Sequence, residues 1–279
     1  MLKKRTAKIS RIRRLVWLAV AAATCLALSQ LAVDHYYESG FRRLQALDAP
    51  ALDKAHRIGA IKKAAVSVIR KDTALIWRGP VQPVILVAGT TPVIFKLSIA
   101  EPVVFLSIDD GWTKNPQVQQ WLVERRLPLT LFVTNDAIKN NYDYFRSLQS
   151  ANMTIQDHTL RHVNLTRLPL NRQKTEICAT ADIYQRQFGR RPTLLRPPYG
   201  DYNDKTIQAA NQCAMRAIVL WTASVDKGVM NFQDGHTGLE PGDIVLMHFR
   251  PEFLQDMQTF LGQVQHDHLQ IGRLEDWLQ

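Results

Sequence analysis

The chain has 279 residues, 46% of them hydrophobic and 8% aromatic, which suits one sizeable core with an appendage and argues against wholesale disorder. Its formal charge of +10 suggests a nucleic-acid partner until the charge is located. Lys3, Lys4, Arg5, Lys8, Arg11, Arg13 and Arg14 fall in the first fourteen residues with no acid among them, and the remainder carries 28 basic and 25 acidic residues. Basicity concentrated in a tail beside an apolar run reports membrane topology, so no nucleic-acid partner is expected.

The apolar run occupies residues 15–33, 19 positions without a charge, enough for one bilayer crossing as a helix. The basic tail at 1–14 is expected to stay cytoplasmic, leaving everything after residue 33 on the extracytoplasmic side of the cell membrane. The competing reading is a cleaved signal peptide, with Ala27-Leu28-Ser29 as its cleavage site and a secreted product. The length of the run favours a retained anchor. Cys25 reads as a small apolar residue of the span.

Residues 34–50 form a polar and aromatic juxtamembrane stretch. Leu52, Ala55, Ile58, Ile61, Ala65 and Val68 then recur at three- and four-residue intervals, which predicts an amphipathic helix over 51–70. Short β-like pieces at 73–77, 84–87 and 93–97 are split by Gly79-Pro80 and by Gly89-Thr90-Thr91-Pro92. They predict a hairpin packed against the domain that follows, so 34–99 reads as a helix-and-hairpin extension.

From residue 100 to 279 the pattern becomes α/β. Strands are predicted at 103–108, 129–133, 153–156, 194–196, 217–220, 244–247 and 269–271, and helices at 117–125, 142–150, 172–188, 205–212, 251–265 and 274–278. Such alternation predicts a parallel sheet or barrel under an outer helical layer, with its chemistry on the loops after the strands. Cys178 in a helix and Cys213 before a strand are expected as two buried thiols.

Every unusual residue follows a strand. Asp109 and Asp110 end the first, in Ser107-Ile108-Asp109-Asp110-Gly111, where burial normally excludes an unpaired carboxylate. His158 and His162 follow the third, four apart, an arrangement that presents two imidazoles on one side. Two histidines and one carboxylate make a three-ligand site with open positions, the catalytic rather than the structural pattern. With Asp110 on the metal, Asp109 is the natural general base, kept ionised by Arg196 from Arg196-Pro197-Pro198-Tyr199-Gly200. Tyr199 and Gly200 turn the backbone and can aim an N–H at an oxyanion. His248 ends the sixth strand and is the candidate acid for an amine leaving group. Asp226, after the fifth, could orient His248 or Arg196. Asp157 is either an acceptor for a ligand N–H or a solvent-exposed residue. Trp112 and Trp221 could stack on sugar rings, although core packing suits Trp221 better.

The order of these motifs resembles the polysaccharide deacetylase family, carbohydrate esterase family 4, over about residues 100–279. That family shows Thr-Phe-Asp-Asp-Gly, His-Ser/Thr-x-x-His, Arg-x-Pro-Tyr-Gly, an Asp/Trp motif and Leu-x-x-His. The counterparts here are Ser107 to Gly111, His158-Thr159-Leu160-Arg161-His162, Arg196 to Gly200, and Leu246-Met247-His248 preceded by Val245. The resemblance implies a distorted (β/α) barrel of about seven parallel strands. It also implies one divalent metal, usually zinc, on Asp110, His158 and His162. Asp109 would be base, His248 acid, Arg196 the tether of the base, and the Tyr199 N–H an oxyanion donor. Two departures stand out: Trp112 where proline often follows the glycine, and Asp226 followed by Lys227-Gly228 without a downstream Asp-Trp.

The expected reaction is removal of N-acetyl groups from the amino sugars of an extracellular polysaccharide, peptidoglycan before chitin-like polymers, because the anchor holds the domain near the wall. Three alternatives remain open: an O-acetyl carbohydrate esterase of the xylan type, a non-catalytic glycan-binding barrel, and a non-haem iron oxygenase with a two-histidine, one-carboxylate triad.

Overall fold

The computed structural model describes residues 72–279 apart from 88, 90 and 234. The basic tail, the apolar run at 15–33, the juxtamembrane stretch and the helix expected at 51–70 lie outside the described residues. Among the described residues no helix is long and apolar enough to cross a membrane.

The elements run β1 (Val93–Ile94), β2 (Val103–Asp110), α1 (Pro116–Arg125), β3 (Thr130–Val133), α2 (Asn135–Ile138), α3 (Tyr142–Ser150), β4 (Thr154–Asp157), α4 (Leu170–Phe188), β5 (Leu194–Leu195) and α5 (Asp204–Gln212). They continue with β6 (Ala217–Val219), β7 (Ala223–Asp226), β8 (Val229–Phe232), β9 (Ile244–His248), α6 (Phe253–His266), β10 (Gln270–Gly272) and α7 (Leu274–Trp277). The strands form one sheet in the order β1-β6-β5-β4-β3-β2-β9-β7-β8, with β10 on β2. Every pairing is parallel except that of β7 with β8. The sheet curls into a partial, distorted barrel, and an isolated antiparallel bridge from Lys96 to Asp243 joins the segment after β1 to the one before β9.

β2 organises the rest. All but its last residue are buried, because it is paired along both edges and covered on both faces. Its side chains alternate. Val104, Leu106 and Ile108 join the larger core, with Leu122 of α1, Phe145 of α3 and Phe260 of α6. Val103 and Phe105 point the other way, into the barrel, against Phe132, Val219 and Trp277. Ser107 and Asp109 continue that inner row. Toward its base the interior is polar but satisfied: Glu275 of α7 accepts hydrogen bonds from Thr130 (2.9 Å), Gln156 (2.8 Å) and Thr154.

The outer helices end where local chemistry stops them. Asn115 caps α1 ahead of Pro116, Asn203 and Thr206 form a reciprocal capping box on α5, and Gly189 closes α4 in the left-handed region.

Two expectations need correction, and one element was not expected. The 73–97 pieces do not form a hairpin: Ile76 bridges Ile271, Val84 bridges Leu278, and β1 pairs in parallel with β6. Pro80 and Pro83 lack the donors a ladder needs, and the main sheet offers these segments free edges. A hairpin forms instead at β7–β8, where Lys227 (φ 52°) and Gly228 (φ 76°) make a two-residue turn with both residues left-handed. Cys178 and Cys213 are not separate thiols but a disulfide with Cα atoms 5.0 Å apart. The side-by-side packing of α4 and α5 brings them together, with Thr206 donating to Gln173 between the helices at 2.7 Å.

The bridge closes a separation of 35 residues, which in the chain-entropy view stabilises the fold by about 4 kcal/mol. Replacing Cys178 and Cys213 together by serine should lower the urea-unfolding free energy by about 2–4 kcal/mol. A double variant as stable as the parent would show that the packed helices, not the bond, fix this edge.

Candidate active site

The inner row of β2 carries Asp109, so plain strand alternation would turn Asp110 to the opposite face. The backbone breaks that alternation. Asp110 (φ 76°) and Gly111 (φ 90°) are both left-handed. A Cβ on Gly111 would lie 2.7 Å from the Ile138 side chain, so only glycine fits. Asp110 Oδ1 then lies 3.2 Å from His162 Nε2 and 3.5 Å from His158 Nε2. One ligand atom from each of the three residues lies within 4.8 Å of the other two. Asp110 Oδ1 is shielded from solvent and takes no well-aligned hydrogen bond from the described residues. Burial pushes the Asp110 carboxyl up, but the two imidazoles facing it outweigh burial and hold it well below the usual carboxylate range.

His158 and His162 come from the loop after β4. It is not a helical turn: Thr159 (φ 70°) and His162 (φ 56°) are left-handed. Local hydrogen bonds hold it, from the Thr159 N–H to Asp157 Oδ1 (2.7 Å) and from the His162 N–H to Thr159 Oγ1 (3.1 Å). His158 Nδ1 lies 2.7 Å from the Arg196 carbonyl oxygen, which can only accept. Nδ1 therefore carries a proton, so that in its neutral form the ring presents the Nε2 lone pair toward Asp110. Burial draws the His158 pKa down, while Asp109 and Asp110 together raise it further than burial lowers it.

Arg196 is completely buried, at 0% exposure. Its Nη1 donates to Asp109 Oδ1 (2.8 Å) and Ser107 Oγ (2.7 Å), and its Nε and Nη2 donate to the Val219 and Leu220 carbonyls, both at 3.0 Å. The guanidinium lies over Phe132, 4.3 Å from the ring centre, with Trp221 at 5.5 Å. Burial lowers its pKa, opposed by Asp109. Asp109 Oδ2 is left on the other side, 3.7 Å from His158 Nε2.

His248 is the register partner of Asp109 across β2 and β9, at the same rim. Burial lowers its pKa against the pull of Asp109 and Asp110. Asp226, read as a residue that could orient His248 or Arg196, ends β7. Its carboxylate, at the tip of the β7–β8 hairpin, pairs with Arg250 at 2.7 Å, while the carboxylate partner of Arg196 is Asp109. Tyr199 (φ 65°) turns the backbone after β5, and its 65% exposed ring lies edge-on to His162 at 4.9 Å. Trp112, beside the glycine, is 53% exposed, whereas Trp221 packs inside against Arg196.

Two participants lacked a role in the sequence reading. Ser107 helps hold Arg196, and its spacing of two from Asp109 on one strand was the available signal. Glu176 of α4, fully buried, takes hydrogen bonds from the histidine loop. Asp157 is neither exposed nor, among the described residues, bonded to an imidazole; it is buried and accepts the Thr159 N–H, while its Oδ2 has no partner among the described residues.

Burial raises the Asp157 pKa well above 3.8, its ordinary value. Between those limits the native state holds a proton that the unfolded state has lost, so stability falls as pH rises, by at most about 1.4 kcal/mol per unit. In metal-free protein, Asp157→Asn should remove that slope, so the variant gains on the parent from pH 4.5 to 7.5 in urea unfolding. A stability difference independent of pH would show that Asp157 is ionised throughout.

The polysaccharide deacetylase family model matches residues 97–218. An uncharacterized protein of Streptomyces coelicolor is 35% identical over 192 residues, covering 67% of this chain and 77% of that protein. The peptidoglycan-N-acetylglucosamine deacetylase of Bacillus cereus is 26% identical over 155 residues, covering 53% of this chain and 56% of the enzyme, so the match spans little more than half of that relative. Among solved structures, a CE4 family pseudoenzyme from Bacillus anthracis superposes with a TM-score of 0.58 at 17% identity, covering 71% of this chain and 70% of that one, a likeness of fold. With the ordered Asp-Asp, His-His and Arg elements converging at one rim of a curled parallel sheet, the chain belongs to the polysaccharide deacetylase family.

Proposed function

We propose that the protein is a metal-dependent hydrolase that removes N-acetyl groups from the amino sugars of an extracytoplasmic polysaccharide, peptidoglycan foremost. The observation that carries this reading is Asp110 Oδ1, a shielded carboxylate oxygen without a hydrogen bond from the described residues and faced by two imidazole Nε2 atoms. Such a donor set is costly without a cation and fits one well. Asp110, His158 and His162 would hold one divalent ion, and two nitrogens with one oxygen suit zinc. Bound there, the ion supplies Lewis acidity and lowers the pKa of water to about 7.

The remaining steps belong to the protein. Arg196 occupies Asp109 Oδ1, which leaves Oδ2 to accept the proton of the attacking water. Water oxygen adds to the acetyl carbon, and the Tyr199 N–H donates to the developing oxyanion. His248 then gives its proton to the departing nitrogen as the carbon–nitrogen bond breaks, so that acetate and a free amine leave. A depressed pKa makes protonated His248 the stronger acid for that transfer.

Fold alone assigns no turnover, since one structural neighbour is named a pseudoenzyme. The intact Asp109–Arg196 pair supports catalysis over a glycan-binding barrel, and the second aspartate distinguishes the site from a three-ligand iron triad. The peptidoglycan activity in the name of the Bacillus cereus relative supports the polymer, and an anchor at 15–33 would hold the domain beside the wall. Trp112 and Tyr199 offer exposed rings beside the site for sugar faces.

Acetate release should be greatest from peptidoglycan, smaller from chitin oligomers, and abolished by a chelator. Release confined to acetylated xylan would favour an O-acetyl esterase, and no release from any polymer would leave a binding role. Asp109→Asn should retain one equivalent of zinc while kcat falls about 10²–10⁴-fold. His158→Ala should lose both metal and turnover. An Asp109→Asn variant with undiminished acetate release would refute the base assignment.

A further inference from the structure

We propose that Glu176, on α4, is a positioning residue that sets the histidine loop for its cation. This rests on the reading of Asp110, His158 and His162 as a metal site. Glu176 is 0% exposed, on the buried side of α4 with Gln173, Ile177 and Thr180. Its Oε2 accepts the Arg161 N–H at 3.0 Å, its Oε1 accepts Arg161 Nε at 2.7 Å and also Nη2, and its own carbonyl accepts the Leu160 N–H at 3.1 Å. One residue of a rigid helix thus takes two successive amides of the loop and the guanidinium between the two histidines.

Thr159 and His162 are held in a conformation that non-glycine residues avoid, and such backbone persists only where its surroundings over-determine it. Fastenings from β4 and α2 act on Thr159 and Leu160: Thr159 donates to Asp157, and the Asn135 and Asp136 amides donate to the Thr159 and Leu160 carbonyls. The second half of the loop, which delivers His162, is held by Glu176. Arg161 closes the arrangement from the surface, with its side chain 42% exposed, so the buried carboxylate has a cation without burying a second charge. Supports of this kind behind a ligand commonly change metal affinity by about 10–100-fold.

The test measures zinc binding to metal-free, full-length protein by competition with a chromophoric chelator, at a temperature where circular dichroism shows every variant folded. Glu176→Ala should bind zinc about 10–100-fold more weakly than the parent, and Glu176→Gln, which keeps an acceptor for the Arg161 N–H, should recover part of the loss. Ile177→Ala, a core truncation on the same helix, should lose thermal stability and keep its zinc affinity within about threefold, well short of a loss through the ligands' support. Should Glu176→Ala not fold, Arg161→Ala at the surface replaces it, with an expected loss of about tenfold. Parental affinity in Glu176→Ala, or in Arg161→Ala used in its place, would overturn the proposal. So would an Ile177→Ala variant that loses affinity as far as Glu176→Ala does. A parent protein that binds no zinc would overturn the cation reading itself, a separate outcome.

Discussion

A guanidinium sealed inside a barrel is the constraint around which this structure is arranged. Arg196 has no exposure, so its charge must be met entirely by the protein. Asp109 supplies the opposite charge, Ser107 an acceptor, and the Val219 and Leu220 carbonyls two more. Each comes from a different turn of the same geometry: Ser107 and Asp109 from alternate positions of β2, and the carbonyls from the end of β6. The carbonyl of Arg196 itself fixes the His158 tautomer. One residue therefore orients the proposed base through its side chain and a proposed ligand through its backbone.

Much of this was legible in the chain because the residues concerned obey local rules. The doubly covered β2 opens as an apolar run, Val103 to Leu106, and the helices at 117–125, 142–150 and 205–212 carry their periodicity openly. Asp109, Asp110, His158, His162, Arg196 and His248 each followed a predicted strand, and the fold brings them to one rim. What was hidden depends on contacts far apart in sequence. The β1 strand is two residues long and is defined by its partner β6, so its neighbouring turns mimic those of a hairpin. The Cys178–Cys213 bond depends on how two helices pack. Asp226 was read as following the strand at 217–220, yet it ends β7, a strand that reading lacked, which turns back as a hairpin and carries its carboxylate to Arg250.

The site also shows where local preference yields. Asp110, Thr159, His162 and Tyr199 are non-glycine residues with positive φ, and all four border the candidate cation site. Each left-handed residue costs about 1–2 kcal/mol, so their concentration is a local expense that packing elsewhere must offset. The return is directional: Asp110 joins Asp109 on the same side of the sheet, and His162 reaches its carboxylate without a helix. Rigid neighbours bear the strain, β2 and β9 behind the aspartates and α4 behind the histidines.

The placement of β10 and α7 bears on how the chain reaches this state. β10 completes the edge of β2 at Val103, Val104 and Phe105, and Glu275 of α7 supplies the acceptor for Thr130, Thr154 and Gln156. The earliest long strand of the sheet is thus finished by residues that emerge more than a hundred positions later. Until they arrive, an apolar edge and three buried donors stand open, the condition in which unfinished sheets pair with the wrong neighbour. Assembly of this domain must therefore await its last elements, and a chain threading through a membrane would need protection for its leading half while the trailing half is still in transit.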